Sequence, residues 1–482
     1  MTSFFTANRW ILLVGLALIF PCQNSRARPK PNFLFLIADD VGWNDLACYG
    51  NPVIKTPHLD ALARSGMRFT EAYLTISSCS PSRCSIITSR YPHNTGAPEL
   101  HTQLPKGQPL FPRLLRNAGY FTVLSGKHHM GPNANPAFEK ISKGKGPGKE
   151  DDWIEILKTR PKDRPFFAWF ASTDAHRDWQ IDQENTIYDP STIQVPPFLY
   201  DGPETRQDLA NYYHEISRID ATMGKMVAEL RRQGIVRDTY VIFLSDNGRP
   251  FPRCKTRLYQ SGIKTPLLIS RPGHITPTLT RSLISSIDIG PTVLELAGLS
   301  KDPRMQGVSF VEILKNPRAE VRKIAFAEQN WHVYQAHQRM VRSGDFLYIK
   351  NNFPERRALS MESDPTFPAG KELWAKERSG ELTESQRDVF RQPRPGEELY
   401  QVSDDPFQLH NQAGKPEFHQ ELEEMRATLQ VWSEETGDSV PTDPTPDRQD
   451  IHGHRVPHHK HHELPGEANH ATRIKAAGPV LQ

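Results

Sequence analysis

The sequence predicts an α/β protein built around a mostly parallel sheet, followed by a smaller α+β domain. From Pro31 to about residue 300, apolar runs of four to seven residues alternate with longer helical patterns. This alternation is typical of buried parallel strands joined by helices. After about residue 320 the alternation is lost and shorter strands are indicated. A chain of 482 residues is long enough for one large and one small domain.

Short apolar runs between helical patterns are typical of buried strands. The candidate strands of the large domain are Phe33–Ala38, Phe121–Leu124, Phe166–Ala171, Val241–Leu244 and Pro266–Ser270. The candidate helices are Pro57–Gly66 with Thr56 as its N-cap, Gln207–Gln233 and Gly290–Ala297.

The C-terminal third has a different pattern. Phe346–Lys350 is a candidate short strand, and a helix is expected around Glu417–Glu434. Beyond Thr436 the chain is rich in Pro, Asp and His, a composition that favours disorder. We therefore expect a large domain over residues 31–320, a small α+β domain over 321–436 and a disordered tail over 437–482.

The charge balance excludes some classes of partner. Lys and Arg number 59 against 56 Asp and Glu, so the chain carries almost no net charge. This balance does not favour nucleic acid or an anionic membrane as the main partner. An anionic ligand would require a local cluster of positive charge.

The N-terminus has the pattern of a signal peptide. Arg9 precedes an apolar stretch over Trp10–Phe20, and Ser25-Arg26-Ala27 offers a cleavage site between small residues. The stretch is too short to span a bilayer as a helix. We predict a signal peptide over residues 1–27, export to the periplasm or the exterior, and no membrane span in the mature chain. An N-terminal membrane anchor is the alternative.

Polar side chains directly follow four of the candidate strands. They are Asp39-Asp40, Lys127-His128-His129, Asp174-Ala175-His176 and Asp246-Asn247. Each motif alone is common in turns, but the carboxyl ends of parallel strands meet at one edge of a sheet. We therefore expect a single pocket that holds carboxylates beside cationic groups. Carboxylate and amide oxygens suit Ca²⁺ or Mg²⁺, whereas Lys and His donors suit a tetrahedral anion such as sulfate or phosphate.

One cysteine lies at a predicted helix start. Ser80 is a good N-cap and Pro81 fits the first helical position, which places Cys79 beside a helix N-terminus where anions are favoured. Without the predicted signal peptide the chain keeps four cysteines, too few for a disulfide framework, and it has no Cys-x-x-Cys spacing for zinc.

The run Cys79-x-Pro81-x-Arg83 resembles the signature of type I sulfatases, in which a dedicated enzyme oxidises the cysteine to formylglycine. The resemblance extends from about Asn32 to Gly437 and is strongest to the N-sulfoglucosamine sulfohydrolase (sulfamidase) branch. The segments that carry it are Thr56-Pro57-His58-Leu59-Asp60, Gly126-Lys127-His128-His129, Asp174-Ala175-His176-Arg177, Ser245–Pro252 and Glu398-Leu399-Tyr400. Lys255 departs from the arginine usual in sulfamidases and agrees with sulfatases in general.

The resemblance implies an alkaline-phosphatase-like sandwich and a role for each motif residue. Asp39, Asp40, Asp246, Asn247 and the formylglycine at 79 would bind one Ca²⁺. Arg83 and Lys127 would ease deprotonation of the nucleophilic hydroxyl, and Asp246 would accept its proton. Lys127, His176 and Lys255 would hold the sulfate, His176 would protonate the leaving atom, and His129 would help to expel sulfate. Arg177, Arg249, Glu328 and His332 are candidate sugar contacts.

The resemblance implies a sulfated glycan substrate and a formylglycine-generating or equivalent maturation enzyme as a second partner. A homodimer is left open. The predicted activity is a sulfatase, most specifically an N-sulfoglucosamine sulfohydrolase. The alternatives are an O-sulfatase on another polysaccharide, a phosphonate or phosphate monoester hydrolase of the same superfamily, and a non-catalytic glycan-binding protein.

Overall fold

The computed structural model describes residues 1–4, 30–457 and 462–481. The predicted signal peptide falls almost entirely on residues 5–29, outside the described part. Within the described ranges, no helix has the length and apolar character needed to cross a bilayer. The chain divides after Lys30, and the fold below is that of the unit over Pro31–Gln482.

Strands alternate with helices through the first two thirds of the chain. In the described part the strands are β1 Asn32–Ala38, β2 Met67–Phe69, β3 Ala72–Tyr73, β4 Phe121–Gly126, β5 Lys140–Ser142, β6 Phe166–Ala171, β7 Thr239–Ser245, β8 Leu267–Ser270, β9 Thr278–Thr280, β10 Ile284–Ser285, β11 Ile324–Gln329, β12 Gln338–Ser343, β13 Phe346–Asn351 and β14 Glu397–Gln401.

The α-helices of the same described part are α1 Pro57–Arg64, α2 Cys79–Thr88, α3 Pro92–Thr95, α4 Phe111–Asn117, α5 Trp153–Thr159, α6 Pro203–Arg232, α7 Gln260–Ile263, α8 Ile289–Leu296, α9 Val311–Lys315, α10 Pro368–Ser379 and α11 His419–Thr436. Every candidate strand and helix of the sequence analysis is present, with its ends moved by a few residues at most.

The central sheet has eight strands in the order β5-β4-β6-β1-β7-β8-β2-β9. The five strands from β5 to β7 are parallel to their neighbours, whereas β8 is antiparallel to both β7 and β2. The register places Leu36 of β1 opposite Phe170 of β6 and Phe243 of β7. The carboxyl ends of these strands therefore lie at one edge, as the sequence predicts.

Strand β1 is buried on both faces, which makes the molecule a sandwich. Successive side chains of a strand point to opposite faces, and here the two sets enter separate apolar cores. Helix α6 covers the core on one face, and helices α4 and α8 cover the core on the other. The fully buried side chains of β1 are Phe33, Phe35 and Ile37 on one face and Leu34, Leu36 and Ala38 on the other.

The small antiparallel sheet follows the central one along the chain and has the order β11-β12-β13-β14. Helix α11 packs on it through Leu422, Met425, Leu429 and Trp432. These elements confirm the predicted fold class, a mostly parallel α/β sandwich with a smaller C-terminal α+β part.

One predicted helix cap is confirmed and one is wrong: Thr56 stands at the N-cap position of α1, whereas the N-cap of α2 is Ser78 and not Ser80. Helix α2 begins at Cys79 with Ser78 at the N-cap position, and the first helical bond runs from the Ser82 amide to the Ser78 carbonyl (2.9 Å). Pro81 fits this start because amides of the first turn have no helical acceptor. The Ser80 hydroxyl instead accepts from the His101 amide (2.8 Å). Thr56 makes no capping bond, and its hydroxyl accepts from the Ala47 amide.

Composition predicts disorder after Thr436. In the structure, residues 438–457 and 462–481 pack along the molecule; these residues are here called the C-terminal segment. Fully buried Arg90 donates to the carbonyl oxygens of Thr472 (3.1 Å) and Ile474 (2.8 Å). The Trp331 indole donates to the Pro446 carbonyl (2.8 Å). Long-range hydrogen bonds of this kind order a polar segment whose regular structure, in its described part, is limited to the short 3-10 helices Glu467–Asn469 and Ala471–Arg473.

Candidate active site

The loops that follow β1, β4, β6 and β7 are joined by backbone hydrogen bonds. The Asp39 amide donates to the Asp174 carbonyl (2.8 Å), and the Lys127 amide donates to the Ala171 carbonyl (2.8 Å). The Asp246 amide donates to the Ala38 carbonyl (3.2 Å). These bonds hold the four polar motifs together at the sheet edge.

Each of three buried carboxylates accepts a hydrogen bond from a different cation. Lys127 donates to Asp39, Lys255 donates to Asp40 at 2.8 Å, and the Arg83 Nε donates to Asp246 at 2.7 Å. All three carboxylates are fully buried. The site therefore concentrates charge of both signs where solvent screening is weak.

Burial and the neighbouring charges shift the proton affinities of the cluster. Burial raises the pKa of Asp40 and of Asp246 to about 7. Burial acts the same way on Asp39, but the charges led by Lys127 outweigh it and hold the pKa of Asp39 well below its usual range. Despite its burial, Lys255 has a pKa well above its usual value because Asp40 stabilises the ammonium. A divalent cation would relieve the repulsion among these carboxylates.

The donor atoms at this edge fit a metal ion. One ligand atom from each of Asp39, Cys79 and Asp246 lies within 4.8 Å of the others. One carboxylate oxygen of Asp39 and the Asn247 amide oxygen are buried without a hydrogen-bond partner. Asn247 instead donates its amide hydrogen to Asp40. Unpartnered buried oxygens in such a cluster are the acceptors that a hard divalent cation requires.

Cys79 is the first residue of α2 and is 2 % exposed. Burial raises the pKa of the Cys79 thiol to about 12. A thiol held neutral at physiological pH is a poor nucleophile, because the thiolate is the reactive form.

A cavity of about 290 Å³ opens above the carboxylate cluster. Its floor includes Asp40, Cys79 and Lys255, and His129 and His176 reach it from the loops after β4 and β6. The remaining lining comes from distant parts of the chain, namely Leu100, His101, Arg177, Pro250, His332, Val333, Met361, Glu362, Phe367, Arg448, Gln449 and Arg455. Asp39, Arg83, Lys127, Asp246 and Asn247 lie outside this lining.

Burial lowers the pKa of every histidine that lines the cavity. Desolvation and the charge of Lys255 lower the pKa of His176 to about 4. Desolvation and Lys127 lower that of His129 to about 2, and His129 shares a hydrogen bond with His101 (2.8 Å). His332 shares one with the Ser78 hydroxyl (2.6 Å). An entering anion would favour their protonated forms.

The candidate sugar contacts divide into two groups. His332 and Arg177 line the cavity, but the Arg177 guanidinium is held by two 2.7 Å bonds to Asp208. Arg249 and Glu328 are not among the lining residues, because Arg249 is paired with Asp45 (2.7 Å) and Glu328 with His93 (2.7 Å) in the interior.

Several lining residues were not found by sequence reasoning. His101, Glu362, Arg448 and Arg455 lie far from every recognisable motif, and tertiary structure alone brings them to the cavity. The sequence marks Arg448 and Arg455 only as basic residues within a segment expected to be disordered, which does not by itself indicate a place in the cavity.

Comparison with known proteins assigns the fold and site to a class. A family model described as Sulfatase matches residues 31–148 and 150–299. The chain belongs to the sulfatase family, and it is a hydrolase of sulfate esters or sulfamates.

A second model, described as the C-terminal region of N-sulphoglucosamine sulphohydrolase, matches residues 254–347. Human N-sulphoglucosamine sulphohydrolase is 32% identical over 88% of this chain and 93% of its own length. An ulvan-active sulfatase of Formosa agariphila is 28% identical over 85% of this chain and 76% of its own length.

A solved structure of a protein in complex with its substrate D-glucosamine-2-N,6-O-disulfate has the same fold. Its TM-score is 0.63 at 19% identity, and the match covers 84% of this chain and 98% of that one.

Proposed function

We propose that the protein removes the N-sulfate group from glucosamine residues of a heparin- or heparan-like glycan. The observation that carries this proposal is the 32% identity to human N-sulphoglucosamine sulphohydrolase over nearly the whole of both chains. The match of residues 254–347 to the C-terminal model of the same enzyme supports it, because that region includes Lys255 and His332 of the cavity.

Residue 79 is proposed to act as formylglycine, produced from cysteine by a maturation enzyme. The motif Cys79-x-Pro81-x-Arg83 supports this modification, and so does the raised thiol pKa, which leaves the unmodified side chain unreactive. As a hydrated aldehyde, residue 79 would supply a hydroxyl nucleophile together with a second hydroxyl that permits release of sulfate by elimination.

A divalent cation, proposed to be Ca²⁺, would be held by Asp39, Asp40, Asp246, Asn247 and residue 79. When bound, the ion would supply Lewis-acid stabilisation of negative charge on the sulfate and on the nucleophile. The unpartnered oxygens of Asp39 and Asn247 support this assignment.

The basic residues would orient and stabilise the sulfate group. Lys255 lines the cavity and Lys127 pairs with Asp39, which supports a role for both ammonium groups in holding an anion beside residue 79. Arg83 stabilises the Asp246 carboxylate, which would accept the proton of the nucleophile. His176 would donate a proton to the leaving nitrogen, and His129 would assist the later release of sulfate.

An O-sulfatase acting on another polysaccharide is the second candidate. Two observations favour it: Lys255 stands where sulfamidases usually carry arginine, and ulvan-active sulfatases align over most of the chain. Both candidates share the nucleophile, the metal site and the sulfate-binding residues. They differ only in the atom that leaves.

The test compares N-sulfoglucosamine with 6-O-sulfated N-acetylglucosamine and sulfated galactose at equal concentration, with release of inorganic sulfate as the readout. Release mainly from N-sulfoglucosamine is expected. Release from the O-esters alone would reject the N-sulfatase proposal and leave membership of the sulfatase family intact.

Export, a homodimer and domain boundaries at about residues 320 and 436 are further proposals. Sequencing of the secreted N-terminus would test export, gel filtration would test the homodimer, and limited proteolysis would test the boundaries.

A further inference from the structure

Two arginines of the C-terminal segment line the cavity above the candidate active site. Arg448 is half-buried and Arg455 is exposed. Within the described residues, neither guanidinium has an ion pair or a hydrogen bond. The other cations of the lining are used internally, because Lys255 contacts Asp40 and Arg177 is held by Asp208.

The backbone that carries these arginines is fixed. The Val456 amide donates to the Arg448 carbonyl (3.0 Å), which closes a short hairpin over residues 448–456, here called the turn. The Arg448 amide donates to the Val333 carbonyl (2.7 Å), and the Tyr334 hydroxyl donates to the Asp450 carbonyl (3.1 Å). The turn is thus attached to two residues beside His332, while its basic side chains stay available.

Among the described residues, the acidic groups near the turn form no ion pair with either arginine, since Asp447 pairs with Arg356 (3.6 Å) and Asp450 with His454 (3.3 Å). Asp450 accepts hydrogen bonds from the His452 and His454 amides of its own turn, and Asp447 accepts from the Gln335 amide (2.6 Å). Arg448 also acts on the cavity at a distance. Desolvation and then the Arg448 charge lower the pKa of His101. Unpaired guanidinium groups at the rim of a cavity favour the binding of an anion.

We propose that Arg448 and Arg455 form a subsite for a second acidic group of the substrate, a sulfate or a carboxylate on the glycan, outside the sulfate that is cleaved. The identity of the glycan in this proposal rests on the proposed function. The subsite itself lies beyond residues 31–299 and 254–347, the regions that the family models match. It would therefore set a substrate preference through the C-terminal segment.

The experiment measures kcat/KM for sulfate release from three substrates: N-sulfoglucosamine, its 6-O-sulfated form, and a disaccharide of N-sulfoglucosamine linked to a uronic acid. For each substrate that carries a second acidic group, kcat/KM is divided by the kcat/KM for N-sulfoglucosamine. The parent is compared with Arg448→Gln, Arg455→Gln, the double variant, and Arg473→Gln, a control at an exposed arginine of the same segment away from the cavity.

The double variant is expected to lower this ratio about tenfold, the size of one lost charge-assisted contact, and the control is expected to keep it. A fall confined to the 6-O-sulfated sugar identifies sulfate as the bound group, and a fall confined to the disaccharide identifies carboxylate. An unchanged ratio in the double variant would overturn the proposal. If N-sulfoglucosamine is not cleaved, the proposed function fails, and the same ratio is then measured on 6-O-sulfated N-acetylglucosamine with and without an adjoining uronic acid.

Discussion

Replacement of Arg90 by methionine is expected to detach the C-terminal segment. Arg90 is fully buried and donates to four backbone carbonyls, those of Asn94 (3.1 Å), Arg304 (2.9 Å), Thr472 (3.1 Å) and Ile474 (2.8 Å). No carboxylate among the described residues forms an ion pair with it, and burial lowers the pKa of Arg90 to about 10. The hydrogen bonds to these carbonyls are therefore the main compensation for removing the Arg90 guanidinium from water.

The expected loss of stability follows from the number of these hydrogen bonds. A hydrogen bond to a charged donor contributes roughly 1.5–3 kcal/mol, and methionine would leave all four carbonyls without this donor. Removing a buried cation also removes its desolvation penalty, so only part of the sum is lost. We expect a net loss of about 4 kcal/mol, concentrated in the C-terminal segment because two of the acceptors belong to it.

Hydrogen exchange of the amides between residues 438 and 481 measures this loss locally, since opening free energies differ between regions of one protein. Arg473→Met is the matched control, because Arg473 is exposed in the same segment. Protection of these amides should fall in the Arg90 variant while that of β1 and β6 is kept. A loss below about 1 kcal/mol, or one spread evenly over the central sheet, would refute the assignment of Arg90 as the anchor.

Three further predictions concern the site. Cys79→Ala should abolish turnover without unfolding, and mass spectrometry of the active parent should show residue 79 lighter than encoded and reactive towards hydrazine; full activity with an intact thiol would contradict the modification. Added Ca²⁺ at 100 times its Kd should raise the free energy of unfolding by about 2.7 kcal/mol, and Asp39→Asn should reduce both this gain and the metal content. Equal stabilisation of the parent and that variant would count against the site. Because the pKa of His176 is lowered to about 4 and that of Asp246 is raised to about 7, ionisation of Asp246 offsets the loss of protonated His176 below pH 7. The kcat/KM for N-sulfoglucosamine should therefore decline as the pH rises above about 7. His176→Gln should flatten this decline, and an unaltered profile in that variant would remove His176 as the acid.

The sequence predicts the sheet and its polar edge more reliably than it predicts where individual helices begin. The sheet edge was predictable because each apolar run ends directly in polar residues, as Ala38 is followed by Asp39, and because parallel strands share an orientation. The start of α2 was predicted two residues late, with Ser80 instead of Ser78 as the cap. Pro81 fits any position of the first turn and so does not fix the residue at which the helix begins.

The C-terminal segment shows the limit of composition as a guide. A stretch rich in Pro and Asp cannot bury an apolar face, which is why its sequence favours disorder. Its order depends on partners more than 300 residues away in the chain, such as Arg90 for Thr472 and Ile474. For the same reason Arg448 was not found as a lining residue, whereas Lys255 was found from its motif.

The burial of α2 has a consequence for the order of events during synthesis. All ten residues of this helix are buried, and Cys79 lies beneath a cavity whose rim includes Arg448. An enzyme that must grasp several residues on each side of Cys79 could not do so in the folded protein. Residue 79 leaves the ribosome several hundred residues before the C-terminal segment does, and the proposed oxidation of the cysteine would have to take place in this interval. Conditions that speed folding relative to this oxidation should therefore yield protein that is stable yet inactive, with no later opportunity for repair.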